Sequence, residues 1–148
     1  MRGTDTKQAT MLSVLTPERR VPPSHPLRAV KKLADAALAE LSPTFSAMYS
    51  AVGRPSIPPE RLLKASLLMA LYTVRSERLF CEQLDYNLLY RWFLNMDQDE
   101  LSFDHSTFSF NRERLLKHEV AQQFFAAVVS QAKARGLTSS YPFGEGRS

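Results

Sequence analysis

At 148 residues the chain has room for one domain of ordinary size plus tails, and 44% hydrophobic with 23% charged residues marks it as globular rather than disordered. The net charge of +4 and pI near 9.4 are a modest basic excess that many proteins with no nucleic-acid role share, while the longest apolar run, Leu67 to Tyr72, is far too short to cross a bilayer. The amino terminus has no apolar signal-peptide core, and the lone Cys81 can make neither an internal disulfide nor a zinc site.

The charge is unevenly spread. Residues 1–35 carry seven Lys/Arg against three Asp/Glu, residues 36–105 six against nine, and residues 106–148 six against three. An acidic middle flanked by basic ends suits a basic arm and a basic helix for phosphate contact.

Residues 1–15 read as a disordered tail and 16–26, rich in proline, as an extended arm. From Leu27 the period changes: Leu27, Val30, Ala34, Ala37, Leu38 and Leu41 recur at three- and four-residue steps, one face of a helix that Ser42-Pro43 is expected to end. After Gly53-Arg54-Pro55, the segment Ser56-Ile57-Pro58-Pro59-Glu60 opens a helix from about Pro59 to Val74. It is apolar almost all round and so belongs at the centre of a bundle, with Glu60 and Lys64 spaced as an ion pair. Ser76 is placed to cap a third helix. A fourth has Leu88, Leu89, Trp92, Phe93 and Met96 facing inward. The loop Asp97-Gln98-Asp99-Glu100 follows, then a fifth helix from about Asp104–Thr107 to Leu116. A sixth runs from about Glu119 to Arg135 and stops at Gly136. The fold class is all-α: about six helices in a bundle, with a helix-turn-helix-like unit formed by the fourth and fifth.

No enzyme chemistry emerges from the residues. A calcium loop started at Asp97 would need an oxygen ligand at 101, glycine at 102 and glutamate at 108, where the chain has Leu101, Ser102 and Phe108. His25, His105 and His118 lack partners at metal-ligand spacing. Asp104, His105 and Ser106 are adjacent, so they rarely point at one another, and no strained nucleophile turn holds the serine. No catalytic residue, metal ligand or cofactor is assigned to this chain.

The stretch Ser102 to Leu115 says most. A capped helix start is followed by small hydroxyls, then Asn111, Arg112 and Arg114. Hydroxyls and a helix amino terminus suit phosphates, and Asn and Arg suit adenine and guanine edges. The candidate contact residues are His105, Ser106, Thr107, Ser109, Asn111, Arg112 and Arg114, with Arg19, Arg20 and Arg28 adding phosphate contacts from the arm and first long helix. On this chemistry alone, an amphipathic surface helix with a good cap stands equally beside DNA reading.

Three runs carry a resemblance: Gly53-Arg54-Pro55-Ser56-Ile57-Pro58-Pro59-Glu60, Arg91-Trp92-Phe93-Leu94 and Asp104-His105-Ser106-Thr107-Phe108-Ser109. Together with Val21 to Arg28 and Gln131 to Leu137, they resemble the amino-terminal domain of InsH-like, IS-five-type insertion-sequence DDE transposases, over roughly residues 16–138. The resemblance implies a bacterial, cytoplasmic, nucleoid-associated protein whose domain, 16–137, binds duplex DNA at the element's terminal inverted repeats. It also implies a following catalytic domain in which carboxylates hold divalent metals. In the family an aspartate on a strand comes shortly after the segment matching Gly136-Leu137. Here Thr138 to Ser148 follow, with no such aspartate, so that tail is expected to stand where the catalytic domain is missing, and the chain alone is expected not to be an enzyme. Phe110-Asn111-Arg112 stands where the family commonly has an Arg-Phe-Arg-like run. The alternative from another class is a helical protein-interaction module that pairs with itself or with full-length transposase without touching DNA.

Overall fold

Helix starts in this chain are set by prolines and short polar caps, and the computed structural model, which describes residues 16–52 and 56–136, shows where each leads. Among the described residues there are seven helices and no strand: α1 Pro17–Arg20, α2 Pro26–Val52, α3 Pro59–Leu71, α4 Glu77–Leu84, α5 Leu88–Phe93, α6 His105–Leu116 and α7 Glu119–Ala134. The all-α expectation holds. The expected tails at 1–15 and 138–148, and the linker Gly53-Arg54-Pro55, lie outside the described residues.

Two boundaries differ from expectation. The arm is not wholly extended: Pro17 opens the single turn α1, because a proline at the first helical position loses no internal bond. More notably, α2 runs straight through Pro43 to Val52. An interior proline costs about 3 kcal/mol, yet the apolar stripe continues beyond it with Phe45, buried, and Met48 and Tyr49, packed against the core. The burial of Phe45 and the packing of Met48 and Tyr49 outweigh the local penalty.

Helix α3 is central but not apolar all round. Leu62, Leu63, Ala65, Leu68 and Met69 are buried, while Ala70 and Tyr72 are exposed and Leu67 and Leu71 only half covered. It also buries Lys64, 2% exposed. The expected pair with Glu60 is not made. Instead the Lys64 Nζ donates to Asp35 of α2 at 2.6 Å and stands 5.3 Å from the centre of the Phe93 ring. Burial lowers the Lys64 pKa and the Asp35 carboxylate opposes that shift. The helix ends in a left-handed Thr73 (φ +55°), with the Val74 amide closing on the Met69 carbonyl at 2.9 Å.

The caps follow the sequence. The Ser76 hydroxyl accepts from the Leu79 amide at 3.0 Å and starts α4. Asn87 does the same for Tyr90 and starts α5. Gly136, at φ +72°, follows α7 in the left-handed conformation that suits a residue without Cβ. Between these helices runs a chain of aromatic contacts, Phe103 to Phe108, Phe108 to Phe80, Phe80 to Tyr90 and Tyr90 to Tyr72. Each pair has ring centres 5.5–5.7 Å apart. It ties α6 to α4 and α5 through apolar area and ring electrostatics.

Candidate nucleic-acid interface

Helix α6 is the element the sequence singles out, and its placement begins with Asp104. That carboxylate caps the helix, accepting from the Thr107 amide at 3.0 Å and the Thr107 hydroxyl at 3.2 Å. The amide bond is the main reason its pKa is lowered. Phe108, fully buried, and Leu115, 2% exposed, then anchor the helix on α3, α4 and α7.

Position 112 lies between those anchors on the helix, so Arg112 points inward. Its Nε donates to the Ser66 hydroxyl of α3 at 2.7 Å, and its Nη1 to Glu77 of α4 at 2.7 Å. Ser109 donates to the other oxygen of the same carboxylate. Burial pushes the Glu77 carboxyl up, but the hydrogen bonds from Ser109 and Arg112 outweigh it and hold the pKa below the ordinary value. Asn111 turns back on its own helix, its Nδ2 donating to the Thr107 carbonyl at 2.8 Å. Ser109 and Arg112 therefore have partners on other helices that fix how α6 is rotated, while Asn111 bonds within α6 and, at 3.4 Å, to the Ser56 hydroxyl.

The outward face is a different set. Ser106, Phe110 and Arg114 follow at four-residue steps with Lys117 three further on, and all are exposed, as is His105 at the helix start. The Arg114 guanidinium lies over the Phe110 ring, 5.3 Å from its centre. Thr107, half-buried, borders this stripe. Beside it an open groove of about 480 Å³ is lined by Glu77, Ser109, Arg112, Glu113, Leu116 and Lys117.

The arm residues divide as well. Arg19 and Arg20 are exposed at the end of α1. Arg28 is engaged within the protein. Its guanidinium donates to the Glu18 carboxylate at 2.6 Å, to the carbonyls of Glu18 and Val21 at 2.6 Å and to that of Pro22 at 3.1 Å. It also stands 5.2 Å from the centre of the Trp92 ring, whose indole N–H donates to Glu18 at 2.7 Å. The bonds from Trp92 and Arg28 lower the Glu18 pKa. This cluster straps the arm onto α5.

Arg91, buried beside Trp92, donates to the carbonyls of Leu84, Asp97, Gln98 and Glu100, and Arg61 pairs with the Glu100 carboxylate. The acidic loop is thus a pinned connection. Among the described residues no group of three or more His, Cys, Asp or Glu could hold a metal ion, and no helix is long and apolar enough to cross a membrane. Burial first, and the nearby Glu77, Asp104 and Asp85 carboxylates after it, push the Cys81 thiol up to about 12, so it stays protonated.

Sequence reasoning missed Phe110, Lys117 and Glu77. The first two were open to detection by drawing the wheel about the Phe108–Leu115 axis. Glu77 makes its contact across 32 residues and gave no local signal. Compared with known proteins, residues 15–114 match the model of a family described as Transposase domain (DUF772). No curated protein and no solved structure matches the chain.

Proposed function

Since this chain belongs to the family described as Transposase domain (DUF772), we propose that it is the DNA-binding portion of an InsH-like, IS-five-type insertion-sequence transposase that recognises terminal inverted repeats. The observation that carries the reading is the outward stripe of α6. Ser106, Thr107, Arg114 and the adjacent His105 are accessible, on a helix otherwise clamped from behind. A helix held rigidly on one face, with exposed polar and basic side chains on the other and Glu113 as the one acid among them, suits major-groove docking. Arg19 and Arg20 supply phosphate contacts from the arm. Ser109, Asn111, Arg112 and Arg28 then serve the interface by holding it in place.

The sequence pairs α5 with α6 as a helix-turn-helix-like unit, but α6 packs chiefly on α3, α4 and α7; in this reading α4, joined to α6 through Glu77, is therefore the supporting helix, with α6 presented to the groove. Strand cutting belongs to the carboxylates of a catalytic domain rather than to this helical unit, which needs no cofactor to bind. Purified chain with magnesium or manganese should leave supercoiled plasmid intact. Nicking that survives rigorous purification contradicts this.

The test of recognition is a titration of the chain against duplexes carrying the element's own terminal repeat and a scrambled version. The repeat should bind at least tenfold more tightly, and Arg114→Ala should erode that preference by roughly 1–3 kcal/mol if the contact is bidentate. Equal binding to both duplexes removes sequence recognition from the account. No binding to either favours the module that pairs with itself or with full-length transposase.

A further inference from the structure

Among the described residues, phenylalanine side chains are inside with one exception. Phe80, Phe93, Phe108 and Phe124 are fully buried and Phe45 nearly so, while Phe103 and Phe125 pack against the core. Phe110 is the exception among the described residues, 58% exposed at the middle of the outward face of α6. Among the exposed large apolar side chains of the described residues, it is also the one with a guanidinium against its ring, that of Arg114 one turn on.

Stacking of this kind restrains both side chains. With the guanidinium 5.3 Å from the ring centre and the ring 58% exposed, both the N–H fork of Arg114 and part of the ring are open to a ligand. Ser106 lies one turn before and Lys117 one turn after, each suited to a phosphate. In a major groove the exposed part of the ring has one natural apolar partner, the C5 methyl of thymine. The fork has one bidentate partner, guanine O6 and N7. The acid-bearing groove with Glu77 and Glu113 lies to the side toward α4, where it would repel the backbone and set the tilt of the helix.

We propose that Phe110, steadied by Arg114, is a specificity-determining contact that reads a thymine methyl group next to a guanine. This rests on the reading of the chain as a duplex-DNA binder and deepens it. Because Phe110 is exposed, its removal leaves the core intact, so the fold of Phe110→Ala can be verified by circular dichroism beside the binding assay.

The experiment is a selection of duplexes from a random pool by the wild-type chain, followed by replacement of each thymine of the selected duplex, one at a time, with deoxyuridine. That change removes one methyl group and nothing else. Wild type should lose about fourfold in affinity at one thymine that neighbours a guanine, the effect of withdrawing one buried methyl. Phe110→Ala should bind the thymine and uracil duplexes equally, and Arg114→Ala should lose the preference for guanine at the adjacent pair. If Phe110→Ala keeps the wild-type ratio, or no thymine in the selected duplex is sensitive, Phe110 is not the reader and the inference falls while DNA binding stands. If the wild type selects no duplex, the DNA-binding reading itself falls. If Phe110→Ala keeps the ratio but dissociates an oligomer seen for wild type by sedimentation, the exposed ring belongs to a protein contact instead.

Discussion

Three arginines that look equivalent on paper occupy unlike environments. Arg20 reaches solvent, whereas Arg28 threads its guanidinium among Glu18, Val21, Pro22 and Trp92, and Arg112 is held between Ser66 and Glu77. Their replacements should therefore fail differently. Arg20→Ala is expected to weaken binding to every duplex about equally and to flatten the salt slope by about one unit, with stability unchanged. Arg28→Ala should lower stability by about 1–2 kcal/mol, because its partners Glu18 and the arm carbonyls lose a charge-assisted donor at a partly solvated site. Urea denaturation of the two variants, beside anisotropy titrations at two salt concentrations, separates the effects. Wild-type stability in Arg28→Ala would show that the arm strap is inert. Sequence reading grouped these residues by chemistry alone. Arg28 and Glu18 are ten positions apart and Glu18 and Trp92 seventy-four, so no local pattern revealed the strap.

At the scale of the element, α6 depends on Glu77. Its carboxyl is held below the usual value by Ser109 and Arg112, so it binds fewer protons in the folded state than in the unfolded one. The stabilisation is present in full above the unfolded pKa and is lost as pH falls below that value and through the lower folded one. Glu77→Gln should accordingly be less stable than wild type near neutral pH, with the difference shrinking as pH drops from about 5 toward 3. Thermal melts across that range check it, and a gap that widens in acid overturns the account. Helix α2 offers the converse case. Pro43 sits inside it against its own preference, so Pro43→Ala restores an amide and removes a clash, and should stabilise the protein by about 1–3 kcal/mol. The caps at Ser76 and Asp104 and the stop at Gly136 were plain in the sequence because capping is a local event within a few residues. The continuation past Pro43 was not, because the core that Phe45, Met48 and Tyr49 join is assembled from helices far along the chain.

For the whole molecule, the core is built on α3, and the cost of disturbing it is set by burial rather than by apolar count. Leu63→Ala, at a fully buried position, should cost about 2–5 kcal/mol. Leu67→Ala, at a half-covered one, should cost markedly less. Asp35→Ala leaves the Lys64 ammonium buried without its carboxylate and should cost on the order of 3 kcal/mol, while adding Lys64→Met should recover much of that loss. The bundle and its central helix were legible from periodicity, as were the buried Phe108 and Leu115 of α6. The identity of the outward residues was not, because Lys64 and Arg112 turn inward to carboxylates supplied by other helices. Sequence polarity alone assigns such residues to solvent.

In the function proposed for it, this helical unit meets duplex DNA through the outward stripe of α6. Chemical-shift mapping tests it directly, with an isotope-labelled chain of 16.8 kDa titrated with a duplex selected for tight binding. The largest changes are expected at Ser106, Thr107, Phe110, Arg114 and Lys117, with a second set at Arg19 and Arg20, and both should weaken as salt rises. Changes confined to α2 and α7, or none at all up to a large excess of duplex, would contradict it.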